Sequence, residues 1–532
     1  MPDQVSHQIS QSYDATPYDS HPYAQTAPEH LEALAHVFGI DTPPPATARV
    51  LELGCAAGGN LMPFAARFPQ ATAVGVDLSP VQASQGAQAA RRAGLENVRI
   101  HAFDIADIDD SFGTFDYIIC HGVYSWVPSV VQDAILRVCA RHLTPRGVAC
   151  ISYNVHPGWK AREIVRDAMM LRGGPRDTPE DKLAYGRGML EFLAQSARPG
   201  SVLKATLDEM VPLVRDAGAS YLIHEFFETC NAPCYFKQFV ARAETQGLAY
   251  LADADSATMF IQNYSEAVRE PLLRECGASQ VMLEQYLDFL VNRSFRQTLL
   301  VHRARAPEIR YRLDPQRLRA LCYAGVFRAE DGGAFRLDAV EQPCVSLRNV
   351  KVTLRLPVHK AVAQVLDACY PAMLPAPSLI DAVAARMDAP SADVAPDVMA
   401  MLEELLILGA VRVRLTPVRC AAQMPLLPRA LAAVRTLPTL PLGEGAQALA
   451  CNLWHESVAL SPVERCLLPW LDGGHTHEQL AQRLVGEALA GRIRFMVRDG
   501  QPLAMGDALR AFAQQQVDLA LRDLRRKGML LA

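Results

Sequence analysis

Between residues 49 and 153, short apolar and β-branched runs alternate with longer segments in which apolar residues recur at helical spacing. Five runs are predicted strands: residues 49–53, 71–76, 98–103, 115–120 and 147–153. The segments 60–67, 80–93 and 130–141 are apolar at positions i, i+3 and i+4, so we predict helices there. Repetition of strand and helix predicts an α/β protein with a doubly wound, Rossmann-like parallel sheet.

The chain after Trp159 breaks this rhythm. It reads as mostly helical, and we predict a helical insertion over about residues 160–218. Residues 221–228 and 247–253 then resemble strands, although a helical interpretation of FFETCN competes for the first of them. We therefore expect the sheet to resume after the insertion and to close near residue 255, within a first domain over residues 1–258.

The second half of the chain is predicted to form smaller units. Residues 256–306 read as helical, which predicts a helical middle region over residues 259–310. Two later segments each read as helices followed by a longer helix and a short strand. We predict two winged-helix-like modules, over residues 311–416 and 444–532, as a weak internal duplication. The proline-rich stretch 416–443 would link them.

Composition limits the classes of function. A length of 532 residues exceeds one ordinary core, and a net charge of −5 provides no general basic field for nucleic acid or anionic membrane. The sequence predicts neither a signal peptide nor a membrane span. The thirteen cysteines include no CxxC pair. We expect a cytoplasmic protein with reduced thiols, no membrane insertion and no nucleic-acid partner.

The turn after the first predicted strand reads VLELGCAAGGN. A dinucleotide fingerprint needs a second glycine where the backbone meets the pyrophosphate, and Ala56 stands at that position. A phosphate-binding P-loop also fails, because no Lys followed by Ser or Thr comes after the glycines. What remains is a tight turn that presents helix N-terminal N–H groups to a ligand.

Acidic residues stand at three successive strand ends. Glu52 ends the first strand, Asp77 ends the second, and Asp104 follows the third. A carboxylate at the second strand can accept both hydroxyls of a ribose, and three carboxylates would repel a diphosphate and attract a cation. S-adenosylmethionine, a cationic adenosine, fits this pattern. The alternatives are that the turn is a generic α/β connection, that Asp77 caps the helix beginning at Pro80, and that Asp104 caps a turn.

Three runs, LELGCAAGGNLMPFA, FDYIICHGVYSWVP and ISYNVHPGW, resemble class I S-adenosylmethionine-dependent methyltransferases that carry a methyltransferase regulatory domain. Among these, they are similar to the rickettsial outer-membrane-protein lysine methyltransferases. The resemblance includes SYDATPYDSHPYAQTAPEHL and EQYLDFLVNRSFRQTLLVHR and spans roughly three-fifths of the chain. It implies S-adenosylmethionine as cofactor, a lysine-bearing protein, such as an outer-membrane protein, as substrate, and a homodimer.

The resemblance and the strand-end positions together imply a set of cofactor-binding residues. They are Glu52, Gly54, Gly58, Asn60, Asp77, Leu78, Asp104, Ile105 and His121. Tyr13 and Tyr18 resemble the N-terminal segment that folds over the cofactor in such enzymes; alternatively, they anchor a loose terminus.

The acceptor side should lie in the loops after the fourth and fifth strands, because ligands of open α/β sheets bind at carboxyl ends of strands. The catalytic candidates there are His121, Tyr124, Trp126, Tyr153, Asn154 and Trp159. A lysine must lose a proton before it attacks, and an aromatic pocket lowers its pKa while attracting the cation. His121 or a water would relay the proton. Core packing is the alternative for both tryptophans, and His224 with Glu225 either borders this site or packs structurally.

Two other functions stay open. One is a small-molecule N- or O-methyltransferase, with the insertion as a lid. The other is a non-enzymatic S-adenosylmethionine sensor that gates winged-helix DNA recognition, but the candidate helix 397–408 carries Glu403 and Glu404 and no Lys or Arg. His475 and His477 have HxH spacing without a nearby third ligand, so we predict a turn and helix start instead of a metal site.

Overall fold

The computed structural model describes residues 20–436, 448–495 and 506–532. Seven strands form the central sheet: β1 (Arg49–Leu53), β2 (Thr72–Asp77), β3 (Val98–Ala102), β4 (Phe115–Cys120), β5 (Leu143–Asn154), β6 (Leu248–Asp253) and β7 (Phe295–His302). Their order is β3-β2-β1-β4-β5-β7-β6. The first five are parallel, and β7 runs antiparallel to β5 and β6. The five strands predicted first are thereby confirmed.

Four helices accompany the parallel part of the sheet: α1 (Pro28–Val37), α2 (Leu61–Arg67), α3 (Pro80–Arg92) and α4 (Ser129–His142). The last three match the predicted helices to within about two residues. Their apolar faces and the strands share one core, in which Leu51, Phe64 and Ile135 are fully buried. The amphipathic spacing of the sequence therefore does define which helical faces pack on the sheet.

The strand order creates a crevice at the carboxyl edge of the sheet. From β1 the chain proceeds to β2 and β3 on one side and to β4 and β5 on the other, so β1 and β4 flank the reversal point of an open α/β sheet. Glu52 on β1 lies opposite Ile119 on β4 in the register. The residues that follow these two strands therefore meet at the same edge.

The helical insertion contains α5 (Gly158–Gly173), α6 (Pro179–Ser196) and α7 (Val202–Asp216), followed by α8 (Ala219–Phe226). The predicted strand over residues 221–228 is wrong, because α8 occupies most of that run. Leu222, Ile223 and Phe226 fall at helical spacing and bury against Met169 and Leu190 of the insertion. The competing helical interpretation of FFETCN holds only for its first residue, because α8 ends at Phe226.

The sheet closes later than predicted. After α9 (Phe236–Thr245), α10 (Glu266–Cys276) and α11 (Gln280–Leu290), strand β7 runs through the segment for which we predicted helix. Leu299, Leu300 and Val301 are fully buried because β7 lies between β5 and β6, so this strand lacks the polar alternation of a half-exposed one. Asn292, with φ of 48°, lies in the connection from α11. The sheet thus extends beyond the predicted boundary at residue 258.

The C-terminal half contains smaller sheets and two sets of helices. Its elements are α12 (Pro315–Arg319), β8 (Cys322–Ala324), β9 (Phe327–Ala329), β10 (Gln342–Ser346), β11 (Lys351–Leu354), α13 (Pro357–Cys369), β12 (Leu374–Pro375), α14 (Ala376–Met387), α15 (Ser391–Leu408), β13 (Arg412–Arg414), α16 (Ala432–Thr436), β14 (Ala448–Cys451), β15 (Ser457–Leu460), α17 (Pro462–Leu467), α18 (His477–Leu489) and α19 (Asp507–Arg526). Helices α13 to α15 and α17 to α19 repeat the predicted order, and each set ends in its longest helix. In the described parts of the chain, no helix has the length and hydrophobicity of a membrane span.

Candidate cofactor and acceptor site

A cavity of about 420 Å³ lies at the carboxyl edge of the sheet. Residues of the turn after β1, the ends of β2 to β5, helix α8 and the start of β7 all contribute to its wall. Of the residues predicted from sequence, the lining includes Glu52, Gly54, Asn60, Asp77, Leu78, Asp104, Ile105, His121, Trp126, Asn154, His224 and Glu225. The crevice at the reversal point and the candidate site therefore coincide.

The glycine-rich turn is held in a tight, left-handed conformation. Gly54 has φ of 72°, and a Cβ there would overlap the Val123 side chain. Ala56 also has a positive φ, 49°, and its N–H donates to Asp77 Oδ2 at 2.7 Å. Gly58, in contrast, does not line the cavity, and a Cβ added to it would meet Ile100 at 2.6 Å. Gly58 shapes the turn without facing the cavity.

Asp77 and Asp104 both line the cavity and also organise the local backbone. Asp77 Oδ1 accepts from the Ser79 N–H at 2.9 Å, whereas the cap of α3 is Ser79 itself, whose hydroxyl accepts from Gln82. Asp77 therefore does not cap the helix. Asp104 Oδ1 accepts from the Ala106 N–H at 2.8 Å, so this side chain does cap a turn. Its position in the cavity wall is compatible with both functions.

Glu52 is a buried carboxyl group at the base of the cavity. Asn60 Nδ2 donates to Glu52 Oε1 at 2.8 Å, while Oε2 has no hydrogen-bond partner among the described residues. Burial raises the pKa of Glu52 to about 8, in spite of the Asn60 hydrogen bond and with a further increase from the nearby Asp77 carboxylate. A buried carboxyl group with one unpartnered oxygen, in a residue that lines the cavity, suits a cationic group of a ligand.

Another part of the lining comes from the loop after β4, the end of β5, the insertion, α8 and β7. It consists of Trp126, Asn154, Arg162, Tyr221, His224, Glu225 and Phe295. Burial raises the pKa of Glu225 to about 6, and Arg162 with the Tyr221 hydroxyl moderates this increase. His224 Nδ1 lies 2.8 Å from Glu228 Oε1. This part of the cavity thus has a carboxyl group of its own, Glu225, set among aromatic rings.

His121 follows β4 and is half-buried beside the cavity. Its ring centroid lies 4.0 Å from that of Tyr23 and 6.0 Å from that of Phe295. Desolvation lowers the pKa of His121 to about 4, so the imidazole is neutral at pH 7 and a weak base. Glu225, whose pKa is closer to neutrality, is the better candidate to exchange a proton with an acceptor.

Three predicted acceptor residues, Tyr124, Tyr153 and Trp159, lie in the core instead of the cavity wall. Tyr153 is fully buried, and its hydroxyl forms a hydrogen bond with Thr298 Oγ1 at 2.8 Å. Its ring stacks on that of Phe239 with centroids 3.9 Å apart. Tyr124 is also fully buried, 5.2 Å from Phe239. For Tyr153, the cause is the alternation of side chains along β5. Asn154 faces the cavity, and the adjacent Tyr153 therefore faces the other side of the sheet.

The two tryptophans have different positions. Trp126 lines the cavity, whereas Trp159 is fully buried and meets Trp126 edge to face at 5.9 Å. The core alternative is therefore correct for Trp159, which supports Trp126 from behind. Ser125 is buried too, and its hydroxyl accepts from the Asn154 N–H at 2.8 Å.

Sequence reasoning missed several residues of the lining. Tyr13 and Tyr18 lie outside the described residues, but Ser20, His21 and Tyr23 line the cavity directly after them. The Gly59 N–H donates to Ser20 Oγ at 2.6 Å, and the Tyr23 N–H donates to Asn60 Oδ1 at 2.8 Å. The run SHPY, which directly follows Tyr18 and Asp19 in the N-terminal segment, was the available signal.

The histidine pair in GGHTHEQ has the predicted structural role. The Thr476 hydroxyl accepts from the Gln479 N–H at the start of α18, which begins at His477. Within residues 20–436, 448–495 and 506–532, His, Cys, Asp and Glu side chains nowhere form a group of three able to hold a metal ion.

Comparison with known proteins places these features in a family. Family models match residues 51–149 ("Methyltransferase domain"), 218–302 ("Predicted methyltransferase regulatory domain") and 428–529 ("PKMT, C-terminal winged helix domain"). The chain is 40% identical to the protein RP028 from Rickettsia prowazekii over 234 residues. This match covers 44% of the chain and 94% of RP028. The chain belongs to the class I S-adenosylmethionine-dependent methyltransferases with a regulatory domain. The fold class and the family resemblance predicted from the sequence are both confirmed.

Two further comparisons extend the family likeness. RP789 of Rickettsia prowazekii is 45% identical over 291 residues, a match that covers 54% of this chain and 52% of RP789. The chain is also similar to two solved structures of PKMT2 from Rickettsia typhi, one of which is described as a complex with AdoHcy. The other has a TM-score of 0.87 at 26% identity, with 97% of this chain and 100% of that chain covered. This structural similarity extends through the C-terminal modules.

Proposed function

We propose that this protein transfers a methyl group from S-adenosylmethionine to lysine side-chain amines of a protein. The observation that carries the proposal is that the glycine-rich turn and the carboxylate of Glu225 line one cavity. A donor site and a site for an ammonium group are thereby within the same enclosure. The PKMT2 complex with AdoHcy supports the donor, and the abbreviation PKMT, for protein lysine methyltransferase, supports the acceptor.

The residues around the turn fit S-adenosylmethionine. Asp77 offers a carboxylate for the ribose hydroxyls, and the apolar side chains of Leu78 and Ile105 flank the acids as walls for the adenine. The free oxygen of Glu52 is available to a cationic group. When bound, the cofactor supplies a methyl group on a sulfonium. The chain's own task is to orient both reactants and to exclude water between them.

The acceptor end suits a lysine. At neutral pH the Glu225 carboxylate, with its pKa of about 6, is charged and can attract an ammonium group. A lysine has a reference pKa of about 10.4, so its ammonium group must lose a proton before the amine attacks. The aromatic, desolvated surroundings lower the pKa of the amine, and the Glu225 carboxylate then serves as the proton acceptor. Trp126, Tyr221 and Phe295 supply aromatic faces that attract a cation during entry.

Glu52 leads to a testable prediction on proton release. At pH 7 its carboxyl, with a pKa of about 8, is mostly protonated, and a cationic ligand stabilises the charged form. We therefore expect binding of S-adenosylhomocysteine, which retains the ammonium group, to release up to about one proton at pH 7. Calorimetry in two buffers of different ionisation enthalpy measures this number. Glu52→Gln should remove the release, and an equal release from that variant would contradict the prediction.

The substrate class can be tested directly. We would incubate the protein with methyl-labelled S-adenosylmethionine and the outer-membrane fraction of the source cells, and locate the label by mass spectrometry. We expect label on lysines of an outer-membrane protein, and strongly reduced label with Asp77→Ala as control at a cofactor concentration near the Kd of the unmodified protein. Label confined to small metabolites would instead support a small-molecule methyltransferase. That alternative has some support, because trans-aconitate 2-methyltransferase of Deinococcus radiodurans is 35% identical over 105 residues.

DNA recognition by the winged-helix modules is less well supported. Helix α15 carries Asp393, Glu403 and Glu404 and no Lys or Arg. Val398, Leu402 and Leu405 bury its apolar face in the core. The helix therefore packs within the protein and lacks the positive charge that phosphate contacts need.

A cytoplasmic location and a homodimer complete the proposal. All thirteen cysteines are free thiols, which favours a reducing compartment.

The homodimer is supported by the surface of the insertion. It exposes large apolar side chains, with Leu171 at 73%, Phe192 at 58% and Val202 at 75% of full exposure. Light scattering should give twice the chain mass of 58.2 kDa, and Phe192→Glu should shift the equilibrium towards monomer. A monomer at all concentrations of the unmodified protein would contradict this part.

A further inference from the structure

The loop between β14 and β15, residues 452–456, reaches from the C-terminal module to the cofactor end of the cavity. Its residue His455 is 1% exposed. The His455 Nε2 atom lies 2.8 Å from Asn60 Oδ1, although 395 positions separate the two residues in the chain. A residue of the winged-helix module thus contacts a residue of the cavity wall.

The loop is built to hold this position. Asn452 Oδ1 accepts from the backbone N–H groups of both Trp454 and Glu456, each at 2.9 Å. Trp454 is buried and donates to the Pro371 carbonyl at 3.1 Å, and Arg412 forms an ion pair with Glu456 at 2.6 Å. His455 itself has φ of 62°, a conformation that few side chains adopt without support.

Arg67 determines which nitrogen of His455 carries the proton. Arg67 Nη2, which can only donate, lies 2.9 Å from His455 Nδ1, so Nδ1 accepts this hydrogen bond. The proton is therefore on Nε2, which donates to Asn60 Oδ1. Burial and the Arg67 guanidinium lower the pKa of His455 to about 3, which keeps the ring neutral. Arg67 is held in turn by an ion pair with Glu29 and by the Leu453 carbonyl at 3.0 Å.

Asn60 connects this arrangement to the cavity. Its Oδ1 accepts from His455 and from the Tyr23 N–H, and its Nδ2 donates to Glu52 Oε1 and to the Thr26 hydroxyl. The His455 bond therefore helps to fix the orientation of the amide. That orientation sets the positions of Glu52 and of the N-terminal segment at Tyr23, which both line the cavity.

We propose that His455 is a positioning residue for the cofactor site, through which the C-terminal winged-helix module completes the pocket by orienting Asn60. The proposal rests on the proposed function in one respect, since it takes S-adenosylmethionine as the ligand. It goes beyond that function because it assigns the module a part in cofactor binding, independent of any contact with the substrate.

The test measures affinity for S-adenosylhomocysteine by calorimetry on the full chain. Loss of one neutral hydrogen bond that orders a site predicts that His455→Ala raises Kd by about 5- to 10-fold. His455→Gln, whose amide nitrogen can reach Asn60, should restore affinity to within about 2-fold of the unmodified protein. His455→Asn tolerates the positive φ but is too short to reach, so it should match alanine and separates lost hydrogen bonding from backbone strain.

A double-mutant cycle distinguishes positioning from general docking. In an Asn60→Ala background, His455→Ala should raise Kd no further, because the amide that it orients is absent. Arg483→Met removes a guanidinium that lies over the Trp470 ring elsewhere in the same module, and it should lower Tm while leaving Kd within about 2-fold. In turnover assays, His455→Ala should raise the KM for S-adenosylmethionine and leave kcat nearly unchanged.

Three results would overturn the inference. They are an unchanged Kd in both His455→Ala and His455→Asn, an equal rise of Kd in the Asn60→Ala background, and a rise of Kd in Arg483→Met as large as that in His455→Ala. Binding of S-adenosylhomocysteine requires no acceptor, so an error in the proposed acceptor class would leave these measurements unaffected. Conversely, if the His455 variants contradict the inference, the proposal of methyl transfer to lysine is unaffected.

Discussion

Asp77→Ala should raise the Kd for S-adenosylmethionine by about 100-fold, corresponding to about 2.7 kcal/mol of binding free energy. The substitution removes the carboxylate proposed to accept from the ribose. It also leaves the N–H groups of Ala56 and Ser79 without the acceptors that they have at 2.7 and 2.9 Å. Both the ligand contact and the shape of the turn would be lost, and calorimetry with the full chain measures the effect.

The control for this prediction is Asp116→Ala. Asp116 lies on β4 at the opposite, amino-terminal edge of the sheet, where its Oδ2 accepts from the Arg49 N–H at 2.9 Å and its Oδ1 accepts from the Thr144 hydroxyl at 3.0 Å. This variant loses hydrogen bonds of the same kind and should lower Tm without changing Kd. If Asp77→Ala binds the cofactor as tightly as the unmodified protein, the pocket assignment is wrong.

The donor side was predictable because its signal is local. A turn between a buried strand and a helix, with acids at the ends of neighbouring strands, constrains both backbone and ligand within about 55 residues. Glu52, Asp77 and Asp104 therefore all lie in the cavity wall, as expected. The choice between capping and ligand binding for Asp104 was less constrained, because one carboxylate can do both.

The acceptor side was less predictable for two physical reasons. Proximity to a strand end does not decide which face of the sheet a side chain occupies, and Tyr153 and Asn154 consequently differ in location although they are adjacent. A strand buried on both faces also lacks alternation, so β7 resembled a continuation of the helix before it.

Contacts between distant parts of the chain leave no periodic signal at all. His455 stands in the run NLWHE, whose sequence suggests only a turn with a buried aromatic. Its contact with Asn60 depends on how the C-terminal module docks against α2, and that docking is determined by tertiary packing. Only the folded structure could therefore reveal it.

Glu225→Gln should lower kcat/KM for a lysine acceptor by about 100-fold, which is within the range for loss of general base catalysis. The carboxylate is active when it is deprotonated. Because its pKa is raised to about 6, activity of the unmodified protein should be present above pH 6 and fall as the pH decreases through that value. The neutral glutamine has the same shape but can neither attract the ammonium group nor accept its proton.

The pH profile makes this prediction specific. The acid limb near pH 6 should be absent from the residual activity of Glu225→Gln, and the Kd for S-adenosylmethionine should stay within about 2-fold, because Glu225 belongs to the acceptor part of the cavity. Glu163→Gln provides a matched control, since it removes one carboxylate from the adjacent helix α5 at a residue outside the cavity lining. That variant should retain both the rate and the acid limb. If Glu225→Gln retains the limb as well, Glu225 is not the proton acceptor and this prediction is wrong.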